Sequence, residues 1–169
     1  VLAERNRAGS YLATILIGSG LFTMFLFLSI YFQNIHGYSA LRTGFAFLPF
    51  SGGVIAFAGV AATLMPKVGA RPLMLTGLLM ATIGLFYLSR FTPTSSYATA
   101  ILPAMVIMST GLALVFIPSA TTGLHGVGGA DSGVASAMIN TSQQIGGSLG
   151  AALLNTVAVT ATTAYATAH

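Results

Sequence analysis

The chain is predicted to be an all-α bundle of membrane-spanning helices. Three observations carry this: the scarcity of charge, the length of the charge-free runs, and the places where charge does occur. Hydrophobic residues make up 55% of the 169 residues and charged residues only 5%, against roughly 25% charged in a soluble domain. The mean hydropathy is +0.88. Ala8–Leu41, Thr43–Pro66, Leu73–Ser89, Phe91–Ala130 and Ser132–Ala168 contain no Asp, Glu, Lys or Arg. A hydrocarbon core about 30 Å thick takes roughly 20 mainly apolar residues per helix. Ionised side chains there cost at least ~2.5–3.5 kcal/mol and so collect in the loops. A transmembrane barrel would instead show alternating segments of about 10 residues, which are absent here.

Taken in order, the spacing predicts five spans. The first, about 11–32, is rich in Leu, Ile and Phe and ends where Gln33, Asn34, His36 and Gly37 begin. A turn through Gly37-Tyr38-Ser39 leads to the second, about 44–65. Pro66 to Pro72 reads as a short basic loop holding Lys67, Gly69 and Arg71, with a proline at each end to stop one helix and start the next. The third span covers about 73–91. The fourth covers about 97–122, with Pro103 near its start and Pro118 near its end as candidate kinks. A glycine-rich stretch around His125 and Asp131 precedes the fifth, about 132–159, which trails into an Ala/Thr-rich end. Together these make a single membrane domain over 1–169. The polar start without an initiator Met suggests a piece of a longer chain.

Basic residues orient the spans, since cytoplasmic loops carry the Lys/Arg excess. The start, the Lys67/Arg71 loop and the Asp131 loop hold four of the six, and the Arg42 and Arg90 loops hold two. This puts the N-terminal end in the cytoplasm. Six dispersed basic residues do not make a phosphate-binding patch, so no nucleic-acid partner is expected.

The 20 glycines let helix backbones approach closely in lipid. Gly146 and Gly150 form such a ridge on the fifth span. Gly52, Ala56 and Gly59 are expected to do the same on the second, and Gly77, Ala81 and Gly84 on the third.

The polar cluster Asn140-Thr141-Ser142-Gln143-Gln144 lies inside the fifth span. Asn140, Gln143 and Gln144 stand at i, i+3 and i+4 and share one face, with Ser136, Gly147 and Ser148 nearby. Lipid offers carboxamides no hydrogen bonds. Two roles stay open: bonding to a neighbouring helix, or lining a cavity that touches substrate. Gln33 poses the same choice near the interface. Gly146-Gly147-Ser148-Leu149-Gly150 spells a nucleophile-elbow pattern but has no preceding strand. The only carboxylates, Glu4 and Asp131, lie outside the spans. His36, His125 and His169 lack metal-ligand spacing, and Cys is absent. No catalytic constellation, metal site or cofactor is expected, and the chain reads as a non-enzyme.

The order of these features resembles a known family. Asn6-Arg7 precedes a span ending Tyr31-Phe32-Gln33. Gly37-Tyr38-Ser39, Gly44 with Leu48-Pro49, the Gly69-Ala70-Arg71 loop and a span ending near Pro118 follow. Last comes Asp131-Ser132-Gly133-Val134-Ala135-Ser136, with Asn140-Thr141 and Gln144 through Gly150. The sequence is similar over essentially all 169 residues to the C-terminal part of fourteen-span drug:proton antiporters of the major facilitator superfamily (EmrB/QacA-like exporters). The resemblance implies a major-facilitator-type bundle, here five spans of an incomplete C-terminal half. It implies a polyspecific exporter of the bacterial cytoplasmic membrane that exchanges protons for small amphipathic compounds by alternating access. The proton-coupling residues are then expected in an N-terminal part not included here. Pro66 stands where the family's cytoplasmic loop motif has an acid, while Lys67, Gly69 and Arg71 match it. A second possibility is a small stand-alone membrane scaffold without transport activity.

Overall fold

The computed structural model describes residues 5–90, 92, 96–124 and 132–168, with side-chain surroundings given for 8–90, 92, 96–123, 133–164 and 167. Glu4, His125, Asp131 and His169 therefore lie outside the described residues, as do the side chains of Arg5 and Arg7. The elements are α1 (Arg5–Ile30) with a π-helical turn (Tyr31–Ile35), α2 (Ala40–Ala46), α3 (Leu48–Val68), α4 (Ala70–Leu88), a π-helical turn (Tyr97–Ile101) leading into α5 (Leu102–Leu124), and α6 (Ser132–Ala168). Five stretches are long and apolar enough to cross a membrane: Ala8–Ile35, Ala40–Val68, Ala70–Leu88, Tyr97–Gly123 and Gly133–Ala164. There is no strand among the described residues.

Three boundaries differ from the sequence expectation for identifiable reasons. The basic loop between the second and third spans shrinks to one residue. Lys67 lies in the last turn of α3 and Arg71 in the first turn of α4, so only Gly69 is non-helical. Gly69 makes this turn with φ +88°, a conformation open chiefly to glycine, and its amide donates to the Met65 carbonyl at 2.9 Å. Pro66 stays inside α3, and Pro118 inside α5. Proline is tolerated within membrane helices where neighbouring helices and side chains re-satisfy the freed backbone groups.

The second span is broken at Phe47, between α2 and α3. Pro49 has no N–H to continue the α2 ladder, and the Phe47 amide turns back to the Gly44 carbonyl at 3.1 Å. The Tyr97 hydroxyl donates to the neighbouring Ala46 carbonyl at 2.7 Å. An aromatic cluster packs the break, with Phe25 against Phe47 (4.6 Å between ring centres) and Phe50 (5.4 Å), and Phe32 against Phe47, Tyr38 and Tyr97. Arg42 covers the Tyr38 ring at 4.0 Å, a cation–π contact that caps this column.

The fifth span, α6, has 37 residues, or about 55 Å at 1.5 Å per residue. Even a tilt of about 40° leaves it longer than a ~30 Å hydrocarbon core, so one end extends past the lipid tails.

The bundle is organised around α5, which packs against α4, α3 and α1, while α6 packs chiefly along α1. Ala104, Met105, Ser109, Val115 and Ser119 of α5 are almost fully buried. Glycines set the crossings. A Cβ on Gly77 would stand 2.7 Å from the Gly111 carbonyl oxygen, and one on Gly111 2.7 Å from that of Gly77. Gly84 packs on Met108, so the Gly77, Ala81, Gly84 face of α4 meets α5 as the sequence suggests. The ridge expected on the second span is different. A Cβ on Gly52 or Gly59 would meet nothing within 4 Å, and Gly53 is the residue pressed against Ser109 of α5. Gly53 lies about 100° around the helix from Gly52, so the face that meets α5 is not the one the 52-56-59 spacing marks.

Candidate substrate pathway beside α1 and α6

The most intimate crossing places the polar part of α6 against α1. The two helices run in the same direction, with Gly18 facing Gln143, Ile15 facing Gly146 and Ser19 facing Gly150. A Cβ on Gly18 would stand 2.6 Å from the Gln143 carbonyl oxygen, and one on Gly146 would overlap the Ile15 backbone. The Ser19 hydroxyl donates to the Gly146 carbonyl at 2.7 Å, and also approaches the Ile15 carbonyl of its own helix at 3.1 Å. Gly146 and Gly150 thus sit where the backbones come closest.

This contact divides the amide cluster. Gln143 is half-buried and its backbone is part of the crossing. Asn140 and Gln144 are exposed, on the flank of α6 beside the crossing, with Ser136 one turn before and Ser148 one turn after. The three carboxamides therefore do not act as one face. Asn140 donates to the Ser136 carbonyl of its own helix at 3.3 Å, a bond that does not tie α6 to a neighbour. Counting from Ser132, Asn140 lies about 12 Å and Gln144 about 18 Å along the axis, both inside the membrane-length apolar stretch Gly133–Ala164.

Phe22 of α1 completes this flank. Its ring packs on Gly147, where any Cβ would overlap it, yet 48% of the residue remains exposed. Nothing in the sequence distinguishes Phe22 from the other phenylalanines of a Phe/Leu-rich span; only the register of the α1–α6 crossing does. Gln33 lies in the π-helical turn that follows α1 and is exposed.

Lys67 and Arg71 are both exposed on either side of Gly69. Arg71, Gly69 and Pro72 line the mouth of a cleft of about 790 Å³ between α1 and α4, walled by Ser10, Ala13 and Leu78. Apolar pockets of about 240 Å³ and 440 Å³ continue this groove past Leu16 and Ala81 towards Tyr31 and Ser89. No cluster of His, Cys, Asp or Glu able to hold a metal occurs among the described residues.

Comparison with known proteins identifies the group to which this arrangement corresponds. The family model described as Major Facilitator Superfamily matches residues 2–151. The puromycin resistance protein of Streptomyces alboniger is 41% identical over 172 residues, covering 100% of this chain and 34% of that protein. The cephamycin export protein of Amycolatopsis lactamdurans is 38% identical over 148 residues, covering 86% and 30%. The lincomycin resistance protein of Listeria innocua is 33% identical over 145 residues, covering 85% and 30%. The chain thus spans about a third of the length of these curated relatives, at 34%, 30% and 30%.

Proposed function

The chain belongs to the Major Facilitator Superfamily, a superfamily of transporters rather than enzymes, and from that premise we propose that it forms part of the C-terminal half of a proton-coupled exporter of small amphipathic compounds. The observation that carries this proposal is the exposed carboxamide flank of α6. Asn140 and Gln144 are exposed at membrane depth, and Asn140 bonds only within its own helix in the contact described. Amides exposed to hydrocarbon are costly, so this flank faces a water-filled pathway. There the amides offer donors and acceptors to varied substrates without selecting one charge. The names of the relatives, which refer to resistance or export, agree with an exporter.

The crossings suit alternating access. Rocking of one half against the other requires each half to move as a unit. Glycine-mediated backbone contact at α1–α6 and α4–α5 supplies that stiffness. The groove between α1 and α4 is proposed to take a further helix of the same half. The spans contain no Asp or Glu, so the proton-coupling group is assigned to another part of the exporter. The site is the bacterial cytoplasmic membrane, with the Lys67/Arg71 end in the cytoplasm and the Arg42/Arg90 end outside.

The test is resistance conferred by the intact protein in a drug-sensitive bacterial host, challenged with a panel that includes puromycin, lincomycin and ethidium. Asn140→Ala and Gln144→Ala are expected to change the rank order of compounds resisted while the protein stays abundant in the membrane. Uniform loss that tracks loss of protein would show that the two amides only hold the bundle together.

A further inference from the structure

We infer that Phe22 is a specificity-determining residue of this pathway, a stacking surface for planar aromatic groups of the substrate, and that Gly147 is the seat that holds its ring in place; the inference rests on the exporter proposal above. Phe22 lies on the side of α1 that meets α6: Gly18, about 40° around the helix, meets Gln143, and Ser19, about 60° around in the other direction, meets Gly150. The exposed stripe of α1 runs through Leu12, Leu16, Leu26 and Ile30; Leu26 lies about 40° from Phe22 around the helix and Leu12 and Ile30 about 80°, so the half-exposed ring stands where the α6 contact borders that stripe.

The three glycines of the α6 segment meet different things. Gly146 abuts the Ile15 backbone and Gly150 the Cα, Cβ and Oγ of Ser19, which fixes the helix separation. The atoms nearest to a Cβ on Gly147 all belong to the Phe22 side chain, Cγ, Cδ2 and Cε2, one flank of the ring. A side chain at 147 would push that ring away. Gln144 and Asn140 precede Gly147 by one and two turns and lie within about 60° of it around α6. A half-exposed aromatic ring and two carboxamides therefore share one flank near mid-membrane.

A ring presents a π-face to any planar aromatic group in offset or edge-on geometry, and the amides bond that group's polar substituents. An acyclic amphiphile of the same charge gains neither the stacking nor its geometry. Phe22 thus discriminates by shape rather than by charge.

Equilibrium binding to the purified intact protein reads this role without requiring transport. The probes are ethidium, a planar aromatic cation, and dodecyltrimethylammonium, an acyclic one. Phe22→Leu should weaken ethidium binding about tenfold, the scale of one good stacking contact, and leave dodecyltrimethylammonium within about twofold. Phe22→Tyr keeps a ring and should bind ethidium within about twofold of wild type. Gly147→Ala should share the selective loss of Phe22→Leu, and the Phe22 pair decides the matter where that variant fails to fold. Equal loss for both probes, an unchanged ethidium affinity in Phe22→Leu, or a wild type that binds neither probe would overturn the inference. Ethidium efflux is scored separately: a wild type that binds ethidium but does not move it refutes the exporter proposal and leaves the stacking role standing.

Discussion

Replacing Gly146 by Ala tests the idea that backbone contact between α1 and α6 holds this half of the molecule together. The added methyl would overlap the Ile15 Cα and carbonyl. These are backbone atoms of a helix, so no change of rotamer relieves the clash, and the two helices must separate by the order of an ångström. Separation stretches the 2.7 Å bond from Ser19 Oγ to the Gly146 carbonyl, worth about 0.6–1.7 kcal/mol for an interhelical bond in a membrane protein. Overpacking elsewhere in a tight interface costs about 1–3 kcal/mol, so a loss of roughly 2–4 kcal/mol is expected. Gly59→Ala is the matched control. Nothing lies within 4 Å of a Cβ there, and exchanging glycine for alanine in a helix gains about 0.5–1 kcal/mol. The assay is the fraction of the intact protein, fused to a fluorescent reporter and solubilised in mild detergent, that stays monodisperse after heating through a temperature series. Gly146→Ala should lose monodispersity well below wild type, and Gly59→Ala at or above it. If the two variants melt together, the α1–α6 crossing does not have the closeness described.

Two further substitutions probe other joints. Gly111→Ala should destabilise by about 1–3 kcal/mol in the same heating assay, because its methyl would meet the Gly77 carbonyl and the Ala81 amide nitrogen at 2.7 and 2.8 Å; a neutral result would remove α4–α5 from the close-packed crossings. Tyr97→Phe deletes the hydroxyl that bonds the Ala46 carbonyl at 2.7 Å, at a cost of about 1 kcal/mol. It should raise protease cleavage near Phe47 in vesicles that expose the Arg42 end, and unchanged cleavage would show that the aromatic packing alone secures the break.

Much of the fold is legible in the residues because lipid imposes simple demands. Charge must leave the slab, so Arg42, Lys67, Arg71 and Arg90 mark span ends before any contact is known. The 66–72 stretch shows where such reading stops. Two prolines and two basic residues suggest a loop, but positive φ at Gly69 alone turns the chain, and proline inside a membrane helix does not have to end it. The Gly52, Ala56, Gly59 spacing shows the same limit. Small residues at regular intervals permit close approach, but which face meets a neighbour depends on the neighbour, and α5 meets Gly53.

The sequence by itself determined that this chain spans a membrane five times, where its charged ends lie, that it carries no carboxylate within its spans and that uncharged amides lie deep in the fifth. All of these depend on composition along one strand of chain measured against the thickness of a bilayer. Only the tertiary structure decided which amides are exposed and which glycines touch. Asn140, Gln143 and Gln144 share a helix face within the span of one turn, and the α1 crossing cuts through that face. It draws Gln143 into contact with Gly18 and leaves Asn140 and Gln144 exposed. That division follows from the register of one helix on another, and register is a property of the pair.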